Sequence, residues 1–431
     1  VTGALDHPFN TPATRLLVAL VAGLMAGAVA NGSGYEADLL AAARPIGRLW
    51  LNALTMTVVP LVTALLIAGV FDAGQRGGNA VARRSLGWFA VLLLAASLIG
   101  GVVALLLLDA WPIPQGATRL TVAASGEPVS GQGGDWVDAI VPANIVSAAA
   151  ETAMVPLVLF AMLFGFALTR IDRELAAPLA RVFRAIAEVM LVIVGWVLWI
   201  GPVGVLALAF GVGVTLGAGA AGVLLHYVLV IIMVCLAVAL AMHLFAAVAG
   251  RMGLVSLARA ALPAQTVAMS TQSSLAALPV MMSAAPAMQV DSARAGIVLP
   301  LAVSLFRAAS AAANVAVAVY LAQVHGVPVG AITLLVGAVV AAAVSVGAVG
   351  LPAQVSFFAV IAPVCIAMGV PVTMLPLLLA IETIPDVFRT LGNVTADVAV
   401  LRLLRGSPSD PAGGEASDGT RATEGPGARR A

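Results

Sequence analysis

Long apolar runs dominate the chain. They cover Leu16–Ala30, Ile46–Val70, Leu86–Leu108, a stretch opening at Val141-Pro142-Ala143-Asn144 and reaching Leu168, and about 186–212 and 221–249. Most reach the roughly 20 residues a helix needs to cross a bilayer, and none alternates as a sheet strand does. From residue 262 onward the pattern changes. Leu262–Met282 is only moderately apolar, broken by Gln265, Thr266, Ser270-Thr271-Gln272-Ser273-Ser274, Pro263 and Pro279. Ile297–Ala322 is a predicted span with Arg307 near its middle. The run over 329–370 is too long for one crossing and is interrupted at Ser345-Val346-Gly347-Ala348-Val349-Gly350-Leu351-Pro352.

The arginines orient these runs. Arg76, Arg83 and Arg84, then Arg170, Arg173, Arg181 and Arg184, then Arg251 and Arg259 mark the cytoplasmic loops. Arg44 and Arg48 run against the rule, and the Gly-, Pro- and Ser-rich stretch 109–138 suits the outer side. Arg294 follows 262–282 and wants the side that Arg259 left, so that segment reads as a re-entrant hairpin. Arg402 and Arg405 want the cytoplasm too, which requires 329–370 to be a second hairpin entering from outside. Each hairpin carries a Leu-Pro pair, Leu278-Pro279 and Leu351-Pro352, and each precedes one span with polar residues. Two such units entering from opposite faces form an inverted repeat, the layout of secondary transporters with a midplane site. The expected fold is an all-α polytopic membrane protein of eight transmembrane helices plus two re-entrant helical hairpins, in the inner membrane, with both termini cytoplasmic.

The last span is the chemically dense one. At roughly 100° per residue, Glu382, Asp386, Arg389, Thr390, Asn393 and Asp397 share one stripe about 100° wide, while Val387, Leu391 and Val394 lie off its centre. A charge at the bilayer centre costs on the order of 3 kcal/mol, so this stripe must face partners, ligand or water. Its three acids outnumber its one arginine, and a further cation is needed.

Composition agrees with the pattern. The chain is 61% hydrophobic and 10% charged, with a mean hydropathy of +1.09, which excludes an ordinary soluble domain. All basic residues besides histidine are arginine, so lysine-based catalysis is excluded. Cys235 and Cys365 lie in apolar runs and read as small buried hydrophobes, not a disulfide framework. The first apolar run after Arg15 continues as a full span, so no cleavable signal is expected. The net charge of +1 gives no basic footprint, and no nucleic-acid partner, cofactor or metal site is expected. Residues 1–13 form a polar lead, 14–405 the membrane domain, and 406–431, rich in Gly, Pro, Ser, Ala and charges, a disordered tail.

Several of these segments resemble the glutamate transporter family, coupled symporters of acidic and neutral amino acids and dicarboxylates. Val59-Pro60-Leu61-Val62 is similar to its second span. Pro142-Ala143-Asn144 and Leu159–Leu168 are similar to its fourth, and Ser273-Ser274 with Leu278-Pro279 to its first hairpin tip. The most specific match is Asp386-x-x-Arg389-Thr390-x-x-Asn393-Val394-Thr395-x-Asp397. The resemblance implies a homotrimer and an elevator mechanism. The scaffold would be roughly 14–70 and 140–212, and the transport unit roughly 86–110 and 221–405. It also implies that Asp386 holds a substrate ammonium, Arg389 a side-chain carboxylate, and Thr390 and Asn393 the main carboxylate, with Ser310 and hairpin residues Ser273, Ser274, Pro352, Ala353 and Gln354 completing the site. Arginine offers a carboxylate a bidentate fork, and aspartate meets an ammonium at a single point.

The departures matter as much. Where the family has Asn-Met-Asp-Gly-Thr in its seventh helix, this chain reads Phe306-Arg307-Ala308-Ala309-Ser310, making it a divergent prokaryotic-type homologue without that sodium-binding motif. Sodium needs hard oxygen ligands, and of the family's charged ones only Asp397 stays. Ala353-Gln354-Val355 also stand where the second hairpin tip has glycines. Arg307 would share a helical face with Ser304, Ser310 and Asn314, and would neutralise Asp397 in place of a bound sodium ion. His226 and His243 read as packing or interfacial residues rather than proton carriers. Glu382 is the candidate proton carrier, because a carboxylate that gains and loses a proton as substrate comes and goes moves that proton with it; a fixed partnership with Arg389 is the alternative. The expected function is therefore sodium-independent transport of aspartate or glutamate, by proton coupling or exchange. The alternatives are a C4-dicarboxylate carrier of the same fold, a sodium-coupled symporter with fewer sodium sites, and, remotely, an intramembrane hydrolase using Ser273 or Ser274.

Overall fold

The computed structural model describes residues 12–76, 80–114, 141–217, 219–347 and 353–405. Among them are seventeen helices and no strand. In chain order these are α1 (Pro12–Ala30), α2 (Glu36–Thr55), α3 (Val58–Arg76), α4 (Ala80–Ala110), α5 (Ile145–Ala150), α6 (Met154–Leu168), α7 (Arg173–Trp199), α8 (Gly201–Leu216), α9 (Gly219–Ala249), α10 (Leu254–Thr271), α11 (Ser274–Ser283), α12 (Ser292–Leu305), α13 (Ala308–His325), α14 (Ala331–Gly347), α15 (Ala353–Ala367), α16 (Leu375–Leu379) and α17 (Thr383–Leu403).

Several predicted spans are broken, each for a local reason. The run over 46–70 belongs to α2 and α3, which meet at Met56-Thr57. Pro60 has no amide hydrogen, and its ring excludes the carbonyl four residues back; the Thr57 hydroxyl donates to the Leu54 carbonyl at 2.7 Å. The run over 186–212 starts earlier, at Arg173, and breaks at Ile200, where Pro202 enters the first turn of α8 and its missing N–H costs nothing. The segment ending at Leu168 is split into α5 and α6 at Thr152, whose φ is 56°.

The span expected over Ile297–Ala322 also divides. Phe306 and Arg307 leave the helical region, with φ, ψ of −103°, 79° and −102°, 65°. The shared helical face proposed for Ser304, Arg307, Ser310 and Asn314 therefore does not exist. Ser304 sits on α12, donating to the Pro300 carbonyl at 2.7 Å, while Ser310 and Asn314 belong to α13. Irregular backbone at membrane depth is tolerated only where protein surrounds it, and Phe306 is fully buried.

The helices pack in two groups. In one, α1 and α2 lie on α8, and α3 packs on α6 and α7; the Trp50 indole donates to the Val197 carbonyl at 2.8 Å, and Arg184 pairs with Asp72 at 2.5 Å. In the other, α13 is enclosed by α4, α9, α14, α15 and α17. Every residue from Ala308 to Ala322 is buried, as a helix apolar nearly all round must be. The groups meet chiefly where α14 and α15 lie on α3, α6 and α7. There the backbones come close: a Cβ on Gly347 would stand 3.1 Å from the Leu65 carbonyl oxygen.

Arg402, read from the sequence only as a charge that wants the cytoplasm, is buried. Its guanidinium donates to the carbonyls of Gly250 (2.9 Å), Met288 (2.7 Å) and Arg251 (3.3 Å) and to Gln289 Oε1 (3.1 Å). These oxygens satisfy it without a carboxylate. One side chain thereby joins both ends of the α10–α11 segment to the end of α17, where buried Arg294 also donates to the Leu404 carbonyl at 3.2 Å. By length and composition, Glu36–Arg76, Ala80–Ala110, Arg173–Trp199, Gly219–Ala249 and Ser292–His325 can each cross a membrane, and the other apolar helices are shorter.

Substituting valine for Gly347 forces this helix off the Leu65 backbone, and overpacking of this kind costs about 1–3 kcal/mol. We expect a lowered thermal unfolding midpoint in detergent for Gly347→Val; an unchanged midpoint would mean that the helices separate freely here.

Candidate functional site

Helix α17 carries the predicted polar stripe into the interior of the second group. Asp386, Arg389, Thr390, Asn393 and Asp397 are all buried. Glu382 is buried as well, but it precedes the helix, at the bend after α16. That bend lets its carboxylate reach forward: Arg389 and Glu382 form an ion pair at 2.5 Å. Tyr227, on α9, donates its hydroxyl to the other carboxylate oxygen at 3.1 Å. Nη2 of Arg389 makes the contact with Glu382 Oε1, while Nε has no hydrogen-bond acceptor among the described residues. A buried guanidinium with an unused donor is suited to a carboxylate ligand.

The break between α12 and α13 faces this stripe. The first amides of a helix lack intrahelical acceptors, and Asn393 supplies one from another helix: Ser310 N–H donates to Asn393 Oδ1 at 3.1 Å, and Asn393 Nδ2 donates to the Ser310 hydroxyl at 2.8 Å. The reciprocal pair fixes which way the amide points. Arg307, half-buried at the break, interacts electrostatically with Asp386, Arg389 and Asp397. Three carboxylates and two guanidiniums thus lie in this region, with Arg307 contributed by the break between α12 and α13. Asp397 Oδ1 and Asn314 Nδ2 are buried without a hydrogen-bond partner among the described residues.

Phe306 turns the other way, stacking on Phe89 of α4 with ring centroids 5.1 Å apart and planes 14° from parallel. Ala308 is fully buried beside it. The two positions present apolar surface, so their side chains offer a cation no oxygen.

The hairpin residues are less uniformly placed. Ser273 caps α11, its Oγ accepting from Ala276 N at 3.2 Å. Ser274 follows at the first position of α11, half-buried. No hydrogen bond links either serine to α17 among the described residues, although α10 and α11 both pack along that helix. Pro352 and the side chains of Ala353 and Gln354 lie outside the described residues. His226 packs as expected and is also bonded, with Nδ1 3.2 Å from the Tyr320 hydroxyl and Nε2 3.1 Å from the Trp111 carbonyl.

Two contributors escaped the sequence reading. Tyr227 gave one usable signal, a hydroxyl inside an apolar span, where a buried O–H needs a partner. Gln265, noted only as an interruption, donates to Thr395 Oγ1 at 2.8 Å and ties α10 to α17.

Comparison with known proteins adds to this geometry. The profile of the sodium:dicarboxylate symporter family matches residues 13–405. The chain is similar to the proton/glutamate-aspartate symporter of Escherichia coli (strain K12), at 26% identity over 408 residues, covering 91% of this chain and 92% of the relative. It is 28% identical over 429 residues to the neutral amino acid transporter B(0) of Oryctolagus cuniculus, covering 90% and 79%. It is also 28% identical over 418 residues to the C4-dicarboxylate transport protein of Deinococcus radiodurans, covering 91% and 89%.

Asn393→Ala strands the Ser310 amide in the interior, at a cost of about 1–3 kcal/mol. Ser310→Ala keeps the backbone bond and should cost less. Thermal unfolding of the two variants checks the order; a reversed ranking would show that the hydroxyl, not the amide, holds the break.

Proposed function

This chain belongs to the sodium:dicarboxylate symporter family, whose members are transporters and not enzymes, and on that basis we propose that it carries aspartate or glutamate together with a proton and without sodium. It is a membrane protein of the dicarboxylate and amino acid transporter class. With that assignment the intramembrane hydrolase alternative falls, and the Ser273 hydroxyl is in any case engaged as a helix cap.

The ion pair between Arg389 and Glu382 carries the proposal. A substrate carboxylate that takes Arg389 leaves Glu382 buried without a counter-charge, and an unpaired buried charge is neutralised before it is tolerated. Glu382 then binds a proton, so substrate and proton enter together. When the substrate departs, Glu382 ionises and pairs with Arg389 again. The guanidinium is neutralised in both forms, and the unit can cross the membrane loaded with both or with neither.

Asp386 selects among carboxylates. Its buried carboxylate interacts electrostatically with Arg389 and Arg307, and a substrate ammonium would be a further cation for it to meet. A C4-dicarboxylate would leave it repelled, which favours the amino acid reading. Thr390 and Asn393 would line the main carboxylate's position, with Ser310 held by Asn393. Arg307 would serve in place of a sodium ion, its charge offsetting Asp397, while Phe306 and Ala308 withdraw the side-chain ligands.

An elevator motion of α4 and α9–α17 against the first group fits the way these helices pack. Re-entry of the α10–α11 segment on one side is supported by the meeting of its two ends at Arg402. A homotrimer would cover the apolar face of α7, where Leu175, Val182, Val189 and Trp196 are each more than half exposed.

Proteoliposomes test the coupling. An imposed proton gradient should drive aspartate accumulation, and a sodium gradient alone should not. Glu382→Gln should still exchange internal for external aspartate yet lose accumulation driven by pH, because the empty unit cannot return with Arg389 unpaired. Persisting pH-driven accumulation in this variant would take the proton away from Glu382.

For Arg307, aspartate affinity should not change when sodium is replaced by choline at constant ionic strength. Arg307→Met removes the counter-charge of a buried carboxylate, a loss of about 3–5 kcal/mol, and binding should weaken or become cation dependent. Strong sodium dependence of the unmodified protein would falsify the replacement of sodium by Arg307.

A further inference from the structure

Glu382 has a second partner whose role the ion pair leaves unassigned. Tyr227 lies on α9, 155 positions away in the chain, and its hydroxyl donates to Glu382 Oε2 at 3.1 Å while Arg389 meets Oε1. Two helices thus hold the two oxygens of one carboxylate. Tyr227 is fully buried. A cavity of about 10 Å³, lined by Tyr227 and Tyr320 where α9 and α13 meet α8 and α16, has room for at most one water, so bulk water does not solvate Glu382 from this side.

The hydroxyl is held in position from behind. The Tyr227 ring packs edge-on against Tyr320 of α13, with centroids 5.3 Å apart and planes at 76°. Tyr320 is fixed in turn, its hydroxyl donating to the Val223 carbonyl at 3.1 Å and lying 3.2 Å from His226 Nδ1. The titratable groups that act on Glu382 are Arg389 and Asp386 from α17 and Tyr227 and Cys235 from α9. Helix α16, all leucine and proline, adds none. Among the described residues the polar contacts of the carboxylate are Arg389 and Tyr227. Substrate takes the first of these and leaves the second. A hydrogen bond to an ionised group is roughly twice as strong as a neutral one, so the Tyr227 hydroxyl favours the ionised, unloaded form. Once Glu382 is a neutral acid the same hydroxyl still serves it, as donor to one oxygen or acceptor from the other.

We propose that Tyr227 is a positioning residue for the coupled proton: its hydroxyl keeps the Glu382 carboxylate turned to Arg389 and weakens proton binding there until substrate has displaced the pair. The role rests on the reading of Glu382 as the proton carrier. The proton that Glu382 gains comes from the medium with the substrate, and Tyr227 keeps its own.

The test is calorimetric binding of aspartate to the full-length protein in detergent across a range of pH. At alkaline pH, where the unloaded carboxylate is ionised, Tyr227→Phe removes more from the unloaded form than from the loaded one. Aspartate should then bind about fivefold more tightly. At acidic pH, where Glu382 is protonated before aspartate arrives, the affinity should match the wild type. Damage to the fold would instead weaken binding at every pH. 3-Fluorotyrosine incorporated at Tyr227 keeps the hydroxyl and makes it a stronger donor, so it should weaken binding at alkaline pH alone. Tyr320→Phe removes a hydroxyl that does not touch Glu382 and should leave both limits unchanged; an equal alkaline gain there would overturn the proposal in favour of loosened packing between α9 and α13. Glu382→Gln should make the affinity independent of pH. If it does, while Tyr227→Phe and the fluorotyrosine leave alkaline binding unshifted, the role of Tyr227 is overturned and Glu382 stands as the carrier. A pH dependence that survives Glu382→Gln would overturn both.

Discussion

A charge placed in a low-dielectric interior must be neutralised locally, and the second helix group is arranged around that constraint. Glu382, Asp386, Arg389 and Asp397 are all buried, with Arg307 half-buried beside them. The bend before α17 lets Glu382 reach Arg389, and the break between α12 and α13 brings Arg307 to the two aspartates. Both irregularities would be costly in lipid, and both sit where protein encloses them. Asn393 makes the second affordable by capping the amide of Ser310 across the helix gap.

The same constraint gives the proposed transport cycle its logic. A unit that moves through a bilayer must keep its buried charges balanced at every stage, whether or not it holds cargo. In the proposed cycle, Glu382 paired with Arg389 would achieve this without a second ion. On the same proposal, a tethered guanidinium at Arg307 in place of a sodium ion would remove one dependence on the external medium and keep Asp397 neutralised throughout. The stack of Phe306 on Phe89 fills the neighbouring space with dispersion contacts instead of coordination.

Elsewhere the chain meets arginine's demands in different ways. Arg402 is buried and satisfied by backbone carbonyls and Gln289, buried Arg294 donates to the Leu404 carbonyl, and both fasten loops. Arg184 is paired at the edge of the first helix group with Asp72. Arg173 and Arg181 remain beside a cavity with nothing of opposite charge in a described ion pair. Equivalent residues in composition thus serve as rivet or strut according to what stands within reach.

The sequence by itself determined the all-helical membrane class, the stripe from Asp386 to Asp397 and the presence of one extra cation at Arg307, because apolar run length and helical period are local properties. It also carried the family, through residues on α17 that keep their spacing. It did not carry the breaks at Met56-Thr57, Ile200 and Phe306-Arg307 as breaks, since apolar composition continues across each of them. Only the tertiary structure decided that Arg402 is buried, that Tyr227 and Gln265 reach α17, and that Glu382 takes Arg389 as its partner. These are contacts between residues up to 155 positions apart, and which donor meets which acceptor depends on how helices cross, a relation that no single helical period contains.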